Sequence, residues 1–181
     1  LGRGLNNDFM FSIAVDPVNP KRIFVLTAGG WDTQLKSMEG LYASNNGGDD
    51  WSRAAAVATD VKARADFAMG SREHQENITY DPTSLDSNGA RVWYAAVDCG
   101  QGTGPADGCY LYKSEDYGAS WNPITTAYFG GHGNIHNLVV NPADPRTLYF
   151  SSSNGLYKSV DTGRTFAKVS SGLPSGEVGW V

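Results

Sequence analysis

The sequence predicts an all-β architecture of short antiparallel strands grouped into repeated four-stranded units, on three observations. Glycine supplies 22 of the 181 residues, well above the usual share of about 7%. Aromatic residues make up 12% of the chain and charged residues only 18%, a mix of turns and flat side chains that suits strands better than helices. The third and strongest observation is an internal repeat.

Three segments share one order of signals. The first runs Ser12-Ile-Ala-Val-Asp16-Pro17, Arg22-Ile-Phe-Val-Leu-Thr27, Gly40-Leu-Tyr-Ala-Ser44, Trp51. The second runs Asn77-Ile-Thr-Tyr-Asp81-Pro82, Arg91-Val-Trp-Tyr-Ala-Ala-Val97, Tyr110-Leu-Tyr-Lys-Ser114, Trp121. The third runs His136-Asn-Leu-Val-Val-Asn141-Pro142, Arg146-Thr-Leu-Tyr-Phe150, Gly155-Leu-Tyr-Lys-Ser159, Phe166. In each, a β-branched and aromatic run predicts strand one. The Asx-Pro pair ends it, because proline donates no ladder hydrogen bond and restrains the residue before it. A second run restarts at an arginine and closes a hairpin. A variable stretch leads to a third run carrying Leu-Tyr, and a tight glycine turn leads to an aromatic that opens the fourth.

Four short strands per unit, repeated, is the pattern of β-propeller blades. About three blades are expected, so the propeller is partial. Blade 1 covers about 8–57, an inter-blade insert about 58–74, blade 2 about 75–127 and blade 3 about 132–170, with the start of a next blade at 171–181. The Ala-rich stretch 54–69 reads either as a short helix or as cover for a sheet edge. Propellers hold about 4–8 blades, and the chain opens at Leu1 rather than Met. Both facts suggest an excerpt of a longer propeller or one part of a ring completed by other chains, with blade faces left open.

The sharpest repeated element is the tight turn. Its copies are Ser44-Asn-Asn46-Gly-Gly48-Asp-Asp-Trp51, Ser114-Glu-Asp116-Tyr-Gly118-Ala-Ser-Trp121 and Ser159-Val-Asp161-Thr-Gly163-Arg-Thr-Phe166. All read Ser-x-Asp/Asn-x-Gly-x-x-aromatic. The Asx side chain is expected to accept from the N–H two residues on. The glycine supplies a positive φ, and the aromatic packs inward between blades. These twelve residues are therefore structural.

This turn resembles the Asp-box, or BNR repeat, of bacterial sialidases, xyloglucan-cleaving glucanases, sortilin-type receptors and periplasmic photosystem assembly factors. The resemblance spans nearly the whole chain and implies the fold more than any one function, because the fold hosts many. It also implies that the boxes lie away from the ligand face. That face is built by the loops before strand one and between strands two and three.

Candidate functional residues follow from those loops. Trp31, after two glycines and beside Asp32, suits stacking on a sugar ring or a protein contact. Its alternative role is to plug the blade top. In Tyr94-Ala-Ala-Val-Asp98-Cys-Gly100, Asp98 is similar to the catalytic aspartate of the Tyr-x-x-x-Asp-x-Gly stretch of xyloglucanases. The match is partial, and the alternative is an Asp that fixes the bend. A glycosidase needs a second carboxylate some 5–10 Å away, and in these enzymes it lies on another propeller domain. His132, Asn134 and His136 sit in Gly130-Gly-His-Gly-Asn-Ile-His136. Two histidines can ligate a metal, but the glycines speak against a helix that would align them. We therefore expect a polar, ligand-contacting loop with no metal and no cofactor. The sialidase Arg-Ile-Pro motif is absent, so Arg22, Arg91 and Arg146 read as framework.

The net charge of −5 gives no reason to expect nucleic-acid binding. No apolar run approaches the ~20 residues of a membrane span. Cys99 and Cys109 flank a Gly/Pro-rich loop and read as a disulfide worth roughly 2–3 kcal/mol, which places the chain in a secreted or periplasmic setting. Two free thiols are the alternative. The sequon Asn77-Ile-Thr79 fits that setting. Three functions stay open. The first is a non-catalytic binding or scaffold segment contacting glycan or protein. The second is a fragment of a glycoside hydrolase resembling xyloglucanases. The third is an accessory or assembly subunit of an extracytoplasmic complex.

Overall fold

The computed structural model describes residues 3–5, 10–27, 40–54, 77–97, 109–127, 135–152 and 155–172. Among these residues there is no α-helix, only a single 3₁₀ turn over Pro82–Ser84 capped by Asp81. Strands β1 (Met10–Val15), β2 (Ile23–Thr27), β3 (Gly40–Ser44) and β4 (Ser52–Arg53) form sheet 1 in that order. Sheet 2 joins β5 (Asn77–Tyr80), β8 (Trp93–Val97), β9 (Cys109–Ser114) and β10 (Asn122–Ala127). Sheet 3 joins β11 (Ile135–Val140), β12 (Leu148–Ser152), β13 (Gly155–Ser159) and β14 (Ala167–Lys168). All pairings within these three sheets are antiparallel. Strand β5 packs beside both β1 and β11, so the first strands of the three units sit together. This is the layout of a partial β-propeller.

The expected hairpin between strands one and two has a decoration in sheet 2 that the sequence does not announce. The β5–β8 connection carries the 3₁₀ turn and a two-stranded hairpin, β6 (Leu85–Asp86) with β7 (Gly89–Ala90). The second and third strands are in one register throughout: Ile23 faces Ser44, Trp93 faces Ser114 and Leu148 faces Ser159. Equivalent positions in the three sheets can therefore be compared residue by residue.

Two apolar seams hold the sheets together. In the first, Phe24, Leu26 and Leu41 of sheet 1 pack on Ile78, Trp93, Ala95 and Tyr112 of sheet 2. Phe24 lies 4.7 Å from Trp93 and 5.8 Å from Trp121 between ring centroids. In the second seam, Tyr94, Ala96 and Leu111 of sheet 2 meet Leu138, Leu148 and Phe150 of sheet 3. Strand β8 thus sends alternate side chains to the two sheets beside it, Trp93 and Ala95 to one and Tyr94 and Ala96 to the other, which explains why so much of it is buried.

Candidate functional site

The antiparallel register sorts the loops to opposite ends of each sheet. Thr27 pairs with both Met10 and Gly40, so the loop before β1 and the loop between β2 and β3 leave from one end. Val97 pairs with Tyr110, and Ile135 with Ser152, so the corresponding loops of sheets 2 and 3 leave from that end too. The three Ser-x-Asx turns close the other end. Trp31, Asp32, Asp98, Cys99, His132 and Asn134 lie outside the described residues. Cys109 opens β9, and His136 is the second residue of β11. At this loop end Asn77 Nδ2 donates to Asn137 Oδ1 across sheets 2 and 3 at 3.4 Å. Among the described residues no group of three His, Cys, Asp or Glu side chains is placed to hold a metal ion.

The turns at the opposite end share one hydrogen-bond network, and it corrects the expected one. The serine Oγ donates to the Asx carboxylate or amide oxygen at 2.8–2.9 Å. That same Oγ accepts from the N–H two residues beyond the Asx, on Gly48, Gly118 or Gly163, at 2.9 Å. The Asx oxygen instead accepts from the N–H four residues on, at Asp50, Ser120 and Thr165. The reason is competition: the serine already holds the nearer donor. In the second and third turns a hydroxyl adds a 2.6 Å bond to the second carboxylate oxygen. Hydrogen bonds from the Thr165 hydroxyl and N–H hold the Asp161 carboxyl down at about 2. The indole N–H groups of Trp51 and Trp121 donate to the carbonyls of Gly48 and Gly118. Phe166 has no such group and stacks edge-on against Phe150 of its own sheet. Trp121 reaches the Phe24 ring of the neighbouring sheet, and Phe166 packs against the second seam.

Each turn is also docked on the hairpin between strands one and two. The residue after the Asx donates its N–H to the carbonyl of Lys21, Arg91 or Arg146. That docking requires a left-handed backbone at the residue itself. Tyr117 and Thr162 adopt φ of 61° and 62°, a conformation side chains avoid, and Gly47 fills the position in sheet 1.

The three arginines diverge. Arg22 Nη1 lies 2.8 Å from Asp16 Oδ2, and the Asp16 side chain is fully buried. Asp16 also accepts from the N–H groups of Val18, Asn19 and, in the β6–β7 hairpin that joins β5 to β8, Ala90. Arg22 donates to the Asn88 carbonyl and lies over the Tyr117 ring. Burial pushes the Asp16 carboxyl up, but hydrogen bonds from Asn19, Val18, Ala90 and Arg22 outweigh it and hold it below the usual range. Arg146 pairs instead with exposed Asp144, and Arg91 donates to the Glu115 carbonyl. Asp16 and Arg22 are thus a latch between the first and second units, which repeat position alone does not reveal.

No protein-family model matches the chain. Its sequence is 26% identical over 187 residues to the xyloglucanase Xgh74A of Acetivibrio thermocellus, an alignment covering 91% of this chain and 20% of that one. It is 32% identical over 145 residues to a xyloglucanase of Hypocrea jecorina, covering 76% of this chain and 16% of the relative. The chain therefore spans about a fifth of the length of these relatives. Among solved structures, an ancestral GH74 enzyme superposes with a TM-score of 0.62 at 21% identity, over 93% of this chain and 19% of that one. The GH74 xyloglucanase of Xanthomonas campestris gives 0.59 at 19%, over 92% and 23%. The YCF48 protein of Cyanidioschyzon merolae gives 0.52 at 12%, over 88% and 36%. This chain is a partial β-propeller similar in sequence to segments of xyloglucanases.

Proposed function

We propose that the chain is a glycan-contacting segment of an extracytoplasmic Asp-box propeller related to xyloglucanases, with blades at about 8–57, 75–127 and 132–170 and an insert at about 58–74. The observation that supports it is the sequence similarity to xyloglucanases across 91% of the chain. In this reading the boxes are scaffold. Trp31, Asp32, His132, Asn134 and His136 belong to the loop end and contact a β-glucan chain through stacking and hydroxyl hydrogen bonds. In this reading the segment binds glycan without cleaving it. The test is retention of the chain in gels containing xyloglucan, with mannan as control. Trp31→Ala is expected to weaken retention about tenfold, consistent with loss of one sugar-stacking aromatic. Equal mobility in both gels would refute the glycan reading and leave a protein partner or an assembly role.

A second reading is favoured by the stretch Tyr94-Ala-Ala-Val-Asp98-Cys-Gly100, which leaves the end of β8. Here Asp98 is one acid of a glycoside hydrolase. Release of reducing ends from xyloglucan, abolished in Asp98→Asn, would select this reading over simple binding.

Both readings place the chain in an oxidising compartment with Cys99 bridged to Cys109. Thiol titration of the denatured, unreduced chain is expected to find no free thiol. Two would refute the bridge.

A further inference from the structure

The connection between strands one and two differs among the three units. In units 1 and 3 it is a short turn, and that of unit 3 bonds within itself: Ala143 and Asp144 donate their N–H groups to Asn141, and Thr147 donates to Asp144. In unit 2 the 3₁₀ turn and the β6–β7 hairpin stand there instead. The hairpin is fixed to its own unit at its root. The Val92 N–H donates to Ser84 Oγ at 2.9 Å, and the Trp93 indole N–H donates to the Ala90 carbonyl at 2.6 Å. Ala90 and Trp93 are both fully buried.

From that root the hairpin reaches two separate elements. Its β7 side lies against unit 1: the Ala90 N–H donates to Asp16 Oδ2 at 3.0 Å, and the Asn88 carbonyl accepts from Arg22 Nη1 at 3.0 Å. Between them Gly89, at a φ of 122°, leaves no room for a side chain, since a Cβ there would meet Asp16 Oδ2 and Arg22 Nη1. Its β6 side lies against the second Ser-x-Asx turn, where Asp86 Oδ2 accepts from the Tyr117 hydroxyl at 2.7 Å. The Tyr117 ring in turn lies beneath Arg22, 5.1 Å from the guanidinium carbon. The two grips therefore meet through Arg22 and Tyr117.

We propose that the β6–β7 hairpin is a clasp that makes units 1 and 2 open as one cooperative body, while unit 3, whose own turn closes on itself, opens separately. In a repeat array each unit is stabilised by its own contacts and by its coupling to neighbours. Two units open together when that coupling outweighs the difference between them. Both units' boundaries have an apolar seam, but only opening unit 1 also breaks hydrogen bonds to the charged Asp16 and Arg22, which are stronger than neutral ones. The clasp stands at the turn end of the sheets, so it goes beyond the glycan reading, and polysaccharide gels do not report on it.

Hydrogen–deuterium exchange of the whole chain, read by mass spectrometry on peptides from β2–β3, β8–β9 and β12–β13, tests it. The first two sets are expected to exchange within about twofold of each other, and the third faster. Gly89→Ala drives a methyl group into the grip on unit 1, and should leave β2–β3 exchanging about thirtyfold faster than β8–β9, as for the loss of a hydrogen bond to a charged group. Replacing residues 81–91 by the unit 3 turn 141–146 removes the hairpin without forcing in a side chain, and should open the same gap. Tyr117→Phe keeps the ring beneath Arg22 but drops the bond to Asp86, and a gap of about fivefold is expected. Ser87→Ala, at the exposed hairpin tip, should leave the two sets together. Separate rates for units 1 and 2 in the parent would overturn the proposal, as would a shared rate in either the Gly89→Ala or the grafted chain. One rate for all three units of the parent would overturn it too, because the seams alone would then couple them.

Discussion

Asp16→Ala is expected to destabilise the chain by about 3–5 kcal/mol, the cost of stripping one partner from a buried ion pair. The carboxylate gathers four donors, Val18, Asn19 and Arg22 from the β1–β2 turn and Ala90 from the β6–β7 hairpin. Its loss leaves Arg22 beside an empty pocket and the Ala90 N–H without its acceptor. Asp16→Asn should cost less, because an amide oxygen can still accept from Val18 and Asn19. Asn141 does the comparable task in sheet 3, accepting from Ala143. Urea unfolding of the three proteins measures the differences, and equal midpoints for parent and Asp16→Ala would exclude the latch. The pH dependence has a definite sign. The Asp16 carboxyl is held below its ordinary value, so its contribution is present above the unfolded pKa of about 3.9 and is lost as pH falls through the folded one. Asp161, held at about 2, acts in the same direction over the same acid window. Stability should therefore fall steeply below about pH 4, and Asp16→Asn should flatten part of that slope.

Gly118→Ala is expected to cost about 2–5 kcal/mol, combining a strained left-handed backbone with overpacking. Gly118 has a φ of 82°, and a Cβ there would run into the Phe24 ring of sheet 1. Gly48→Ala is the internal control. Its φ is 99°, yet the nearest atom to an added Cβ is its own sheet's Trp51, at 3.7 Å. That substitution should cost only about 1–2 kcal/mol of backbone strain. The gap between the two variants in thermal or urea unfolding reads the seam directly. Equal losses would mean that Phe24 gives way and the seam is loosely packed.

The contrast between these glycines marks how far the sequence could be read. Both stand at the same place in the same turn, and the Ser-x-Asx-x-Gly pattern announced both. Strands and breakers were legible because their signals are local: alternation, Asx-Pro stops and glycine turns act within a few residues. The turn's wiring was only partly legible. The serine takes the N–H that a lone Asx turn would use, and the docking on the Arg91 and Arg146 carbonyls forces Tyr117 and Thr162 left-handed. Asp16, Asp81 and Asn141 look interchangeable along the chain, yet Asp16 also binds the β6–β7 hairpin of the next unit, through an Ala90 partner 74 residues away. The loop-end candidates Trp31, Asp32, Asp98, His132 and Asn134 stand on sequence and resemblance, whereas the register that sends their loops to one end of the sheets comes from the strand pairing.

The amino-acid pattern by itself determined the all-β class, the count of three units and the identity of the corner turns, since each of these depends on neighbours in the chain. Tertiary structure alone decided which equivalent residue met an element of another unit. Such a contact depends on what packs against the turn, and Asp16 and Asp81 open the same Asp-Pro pair with nothing local that would say so.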